Sequence, residues 1–186
     1  MNRMHLPRRA QGLTLIELLL FIVVVGIALA AMLRIFVTAT AASADPMIRR
    51  QQLAVAESLL REVQLMPITW CDPDDANVET ATATTGCAAL AEAMGPEAGE
   101  TRYGPTYFDN VNDYAGFSMA GIRDLGNTAV SGLSGYTANV AVAAAALDSI
   151  ATSGDALKIT VTVSGPDSSS VVLQGWRTRY APQSPF

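Results

Sequence analysis

The sequence predicts an α+β protein: a long N-terminal α-helix, apolar first and amphipathic after, packed on a C-terminal antiparallel β-sheet. Three observations predict it. An uncharged run of 16 residues, Leu18 to Leu33, follows a basic start. Apolar residues recur at three- and four-residue steps between Ile48 and Met66. Three segments in the last third of the chain alternate apolar and polar residues. At 186 residues the chain holds one compact domain plus an extended element, so one head on one stalk is the economical division.

The apolar element comes first. From Leu13 to Leu33, 21 residues rise about 31 Å at ~1.5 Å each, enough for a bilayer core, and Arg34 marks the boundary. In "IRRQQLAVAESLLREVQLM" the residues Leu53, Ala56, Leu59, Leu60, Val63 and Met66 form one helical stripe suited to packing on a sheet. Asp45 and Pro46 read as an N-cap and first helical position, which predicts a kink there. Pro67 ends the helix.

Trp70 to Arg102, rich in Asp, Thr, Ala and Gly, reads as a long surface loop with a short helix near Ala88 to Met94. Strands are expected near Tyr136 to Val142, Leu157 to Val163 and Ser170 to Tyr180, with a turn at Gly165 to Ser169 and a weaker strand at Phe117 to Leu125. Together they make an antiparallel sheet with one face against the helix and one free for other subunits.

Charge and residue types exclude several functions. Setting aside Arg3, Arg8 and Arg9, which precede the apolar run, leaves nine of the 12 basic residues against 17 acidic ones. An acidic body argues against nucleic acid, whose phosphates demand a basic footprint. The single histidine, His5, lies before the apolar run, so catalytic His and His-based metal sites are not expected in the body of the chain. Ser131, Ser134 and Ser153 sit in Gly-rich turns, but the only lysine, Lys158, belongs to an expected strand, so nothing fixes a Ser/Lys dyad. No Gly-rich phosphate loop precedes a helix, so nucleotide binding is unsupported. No enzyme activity and no cofactor are expected.

Two features hold possible binding chemistry. Asp109, Asn110, Asn112 and Asp113 in "YFDNVNDYAGF" supply oxygens of the kind Ca²⁺ takes, yet the glycine and distal glutamate of an EF-hand are missing, and a structural turn between aromatic anchors is the competing reading. Asp72, Asp74 and Asp75 in "DPDD" could chelate a cation or act in acid/base chemistry, but a solvated turn stiffened by Pro73 and the nearby disulfide is the reading preferred. Cys71 and Cys87 are the only cysteines, and a disulfide between them is expected if the region is exported, worth on the order of 3 kcal/mol.

The N-terminus admits two readings. A basic start, an apolar run and the Ala42 to Ala44 step fit an ordinary secretory signal, which predicts a soluble protein beginning at Asp45. Against it stand the length of the run, Gly12 before it, and Glu17 at its edge, where an ionisable group costs several kcal/mol in hydrocarbon without a partner. A cut between Gly12 and Leu13 would place a new α-amino group four residues before Glu17, about one helical turn away. In an assembly the amine of a neighbouring helix could pair with Glu17 and set register.

The stretch "GLTLIELLLFIVVVGIALAAM" resembles the type III signal of type IV prepilins: Gly, an apolar residue, Thr, Leu, Ile and Glu, with Gly26 at a position where that family often has glycine. The resemblance covers roughly the first 33 residues. It implies removal of residues 1–12 by a prepilin peptidase, N-methylation of Leu13, a stalk helix over 13–66 that crosses the inner membrane to about 33, and a head over 67–186. It further implies docking through Glu17 to other pilin subunits and an inner-membrane assembly platform, with the head periplasmic before assembly and extracellular after it. Where many major pilins carry a helix-bending proline this chain has Arg34, and its first proline after the signal is Pro46. "FDNVNDY" resembles a short stretch of minor pilins of the mannose-sensitive haemagglutinin type, so a minor pilin of that class is the first expectation. A pseudopilin of type II secretion or a competence minor pilin is the same-class alternative, and a periplasmic binding or enzymatic domain behind an ordinary signal is the alternative of a different class.

Overall fold

The computed structural model describes residues 14–151, 154–181 and 183–185. Helical backbone runs over Leu15–Leu65 (α1) and passes through Pro46, where the sequence predicts a kink, with no break in the helix. The chain divides at that same point into two compact units, Met1–Asp45 and Pro46–Phe186.

Within the first unit, Leu15–Val37 forms 23 helical residues long and apolar enough to cross a membrane. Its large side chains, Leu15, Ile22, Ile27, Leu33 and Phe36 among them, are exposed along the whole stretch. A helix apolar all round seeks lipid or other helices.

The second unit is α+β. After α1 come the short parallel pair β1 (Glu100–Thr101) and β2 (Thr106–Tyr107), then β3 (Ser118–Ala120), β4 (Thr137–Ala144), β5 (Ala156–Ser164) and β6 (Ser170–Thr178). The last four form one antiparallel sheet in the order β3-β4-β5-β6. Alternation decides which side is buried: Ala138, Val140 and Val142 of β4 and Leu157, Ile159, Val161 and Val163 of β5 point into the core, while Thr160 and Thr162 face the other way. The four expected strands are present, and only the parallel pair is unforeseen, being two residues per strand.

From α1 the residues Ala56, Leu59 and Val63 complete this core. The helical stripe is rotated from the expectation, because Leu53 is 46% exposed and Gln52 is fully buried. Gln52 is tolerated there because its Nε2 donates to the Ser169 carbonyl at 2.8 Å and to Ser169 Oγ at 3.0 Å, tying the helix to the β5–β6 turn. Two glycines let helix and sheet approach: a Cβ on Gly165 would meet Gln52 Nε2 at 2.8 Å, and one on Gly175 would meet Gln64 Nε2 at 2.5 Å.

Glu62 of α1 takes the Arg102 guanidinium at both oxygens, 2.6 and 2.8 Å, and accepts the Tyr114 hydroxyl at 2.8 Å. Burial and the Glu62 charge push the Tyr114 hydroxyl well above its ordinary pKa. Tyr114 packs edge-on against Phe108 and Phe117, so the "FDNVNDYAGF" segment is anchored by aromatic rings as its sequence suggests.

The region from Trp70 to Arg102 is more ordered than a surface loop. The disulfide Cys71–Cys87 is formed, with Cα atoms 5.5 Å apart, and packs with Val78 and Ala81. The helix expected near Ala88 to Met94 is absent; the short helical turn is a 3-10 turn at Thr84–Gly86. A carboxylate explains the difference. Asp75, 4% exposed, takes the backbone N–H groups of Ala88, Ala89 and Leu90 at 2.8 to 2.9 Å, and those groups are then unavailable to a helix. Cys71 bridges Ala91 as in a strand pair instead.

Candidate functional site

Thr14 precedes the first turn of α1, its carbonyl accepting from Leu18 at 3.2 Å and its Oγ1 from the Glu17 N–H at 3.4 Å. Thr14 and Glu17 stand as Ncap and N3, the spacing of a capping box. The Thr-x-x-Glu pattern was available in the sequence as a second reason for an acidic residue at the start of this helix, where the macrodipole also favours negative charge. Glu17 is exposed, as are its apolar neighbours Ile16 and Leu18. Gly12 and Leu13, the expected cleavage and methylation positions, lie outside the described residues, as does His5.

In the head, carboxylates converge. Asp72, Asp74, Glu92, Glu97, Glu100, Asp109 and Asp113 form four overlapping triads, in each of which one carboxylate oxygen per residue lies within 4.8 Å of the other two. The sequence scatters these residues over 42 positions, and three local devices bring them together. Asp72 follows Cys71 of the disulfide, and its N–H donates to the Leu90 carbonyl at 3.1 Å. Glu92 donates its N–H to the Trp70 carbonyl at 3.1 Å, and Gly95 to Asn112 at 3.1 Å. Asp113 closes the turn that carries Asp109, its Oδ2 accepting the N–H groups of Asp109 and Asn110 at 2.9 and 2.7 Å. That turn is pinned to the segment after α1 by Asn110 Nδ2 donating to Thr69 Oγ1 and by Val111 donating to the Pro67 carbonyl.

The electrostatics of this cluster are unfavourable as it stands. Asp72 and Asp113 are 2% and 1% exposed and Glu100 is 9% exposed. Burial, with the neighbouring acids adding to it, pushes Glu92 up to about 9, Glu100 to about 8, Asp113 to about 7 and Asp109 to about 6. Among the described residues, Glu100 Oε2, Asp109 Oδ1, Asn112 Oδ1 and Asp113 Oδ1 are buried without a hydrogen-bond partner. Asp75, by contrast, is held below the usual carboxylate range by the backbone N–H groups it accepts, and belongs to the scaffold.

Of the four residues the sequence nominates for Ca²⁺, the structure brings Asp109 and Asp113 into the cluster. Asn110 is committed to Thr69 and to its own turn, while Asn112 leaves a buried oxygen unpartnered. "DPDD" is not a uniformly solvated turn: Asp74 is exposed, but Asp72 and Asp75 are buried. Glu92, Glu97 and Glu100 are missed by sequence reasoning, because the fold, not their spacing, aligns them. Ser131 and Ser134 lie in the turn before β4, Lys158 pairs with Ala143 and Trp176 within the sheet, and Ser153 lies outside the described residues.

Residues 7–33 match the prokaryotic N-terminal methylation motif. This is the signature of prepilin-like proteins, and it supports a type IV pilin-like or pseudopilin-type subunit. The motif implies processing by a prepilin peptidase and assembly with other pilins, and with the apolar helix it supports a membrane-anchored pilin. Proteins of this kind are generally structural. No curated protein and no solved structure matches the chain.

Proposed function

We propose that the chain is a minor pilin of the mannose-sensitive haemagglutinin type, cut after Gly12 and methylated at Leu13. The observation that carries this reading is the methylation motif over residues 7–33 running directly into an exposed apolar helix with Glu17 in its first turn. The short "FDNVNDY" resemblance supports the subtype.

In this reading the Leu18 to Leu33 surface sits in the membrane before assembly and in the filament core afterwards, exchanging lipid for neighbouring helices. Glu17 meets the methylated amine of an adjacent subunit, and that charge pair fixes axial register in a low-dielectric bundle. The head, over 67–186, stays in the periplasm until assembly and then faces solvent. The energy of assembly comes from the inner-membrane platform.

The test is incorporation. Glu17→Val should leave leader cleavage intact and should be lost from the sheared filament fraction. A Glu17→Val subunit recovered there at wild-type level overturns the docking role. A head-swap with a type II pseudopilin tests the pseudopilin alternative: function retained in secretion, not in the pilus, would assign the chain to that system.

A further inference from the structure

The geometry points to a divalent cation of the Ca²⁺ class bound in the head, held by Glu100, Asp109 and Asp113, with Asp72 and Glu97 completing the oxygen shell. The first support is convergence of donors from separate segments. Glu100, Asp109 and Asp113 form one triad, Asp72, Glu97 and Glu100 a second, and the two share Glu100. Oxygens on opposite sides of one Ca²⁺ are about 4.6 to 5.2 Å apart, twice a Ca–O distance of ~2.3 to 2.6 Å. The oxygens of each triad lie within 4.8 Å of one another, close enough for one ion of that size to reach all three.

The second support is independent of acidity. Asp113 is 1% exposed and Glu100 is 9% exposed, yet Asp113 Oδ1 and Glu100 Oε2 have no hydrogen-bond partner among the described residues. Asp113 uses its other oxygen to accept two backbone N–H groups, so its free oxygen is held in a fixed direction. A buried acceptor left without a donor is costly, and native structures give such groups a partner. One oxygen of Glu97 lies within 4.8 Å of one of Glu100, two acids side by side that a cation between them would satisfy together.

The donor set names the ion. It is all oxygen, with no histidine or thiol, which selects a hard cation over zinc or copper. Five carboxylates from three stretches of chain exceed what Mg²⁺ takes, since that ion keeps most of its waters and uses one or two carboxylates. Glu92 borders the same shell: it forms a triad with Glu97 and Asp113, and both its oxygens are buried without a hydrogen-bond partner among the described residues.

The full chain in detergent micelles, stripped of metal, is titrated with CaCl₂ by calorimetry while its thermal midpoint is followed. Expected are saturable binding and a midpoint that climbs with each further decade of CaCl₂ above the dissociation constant, with MgCl₂ much weaker. Glu100→Gln and Asp109→Asn should each weaken binding by at least about tenfold. Carbodiimide labelling read by peptide mass should show Ca²⁺ protecting Glu97, Glu100 and Asp109 but leaving Glu57 unchanged, and this readout needs no variant. Absence of saturable binding to the wild-type chain overturns the site; so does binding that protects none of these three residues.

Discussion

At the scale of single residues, buried charge is handled in two ways. Glu62 and Arg102 are compensated: the guanidinium sits on both carboxylate oxygens, and Tyr114 takes one of them as well. Glu62→Ala would leave Arg102, 6% exposed, without its counter-charge, and should cost about 3 to 5 kcal/mol in denaturant unfolding. Asp75 is compensated by backbone. Its folded pKa lies below the ordinary carboxylate value of 3.8, so its contribution is fully present above that pH and is lost as pH falls through the folded value. Asp75→Asn should therefore reduce the stability difference between pH 6 and pH 3 relative to wild type, as read by urea midpoints. Among the described residues, Glu92, Glu97, Glu100 and Asp109 keep buried oxygens without a hydrogen-bond partner, and Asp113, which accepts two backbone N–H groups at Oδ2, leaves Oδ1 unpartnered.

At the scale of elements, α1 and the sheet meet through small residues, and the contact was only partly legible beforehand. The three- and four-residue spacing announces a helix from Ile48, yet it places Leu53 inward and says nothing of Gln52. Gln52 is buried because Ser169 in the β5–β6 turn satisfies it, a partner 117 residues away that no local pattern reveals. Gly165→Ala would press on Gln52 and on Ile48 Cγ2, both at 2.8 Å, and should destabilise the head by about 1 to 3 kcal/mol. The loop from Trp70 to Arg102 illustrates the opposite limit. Its disulfide follows from having two cysteines in an exported setting, but its fold is set by one carboxylate that captures three consecutive N–H groups across 13 to 15 residues. Replacing Cys71 and Cys87 with serine should cost about 3 kcal/mol and should weaken cation binding too, because Asp72 adjoins the bridge.

At the scale of the whole molecule, the two units answer different questions. The apolar helix and the methylation motif of the first were legible from sequence, because each is a contiguous local pattern: an uncharged run, and a glycine followed by a short signature ending in Glu17. The strands of the second were legible from alternation, but its carboxylate cluster was not, since its members come from four separate stretches of chain. The filament reading rests on the first unit, and its decisive observable is the mature N-terminus. The chain should be isolated from its native membrane without reductant and analysed by intact mass and N-terminal peptide sequencing. A methylated Leu13 start, with a mass two hydrogens below the reduced chain for the Cys71–Cys87 bridge, is the expected result; a start at Asp45 would contradict prepilin processing and leave a soluble exported protein in its place.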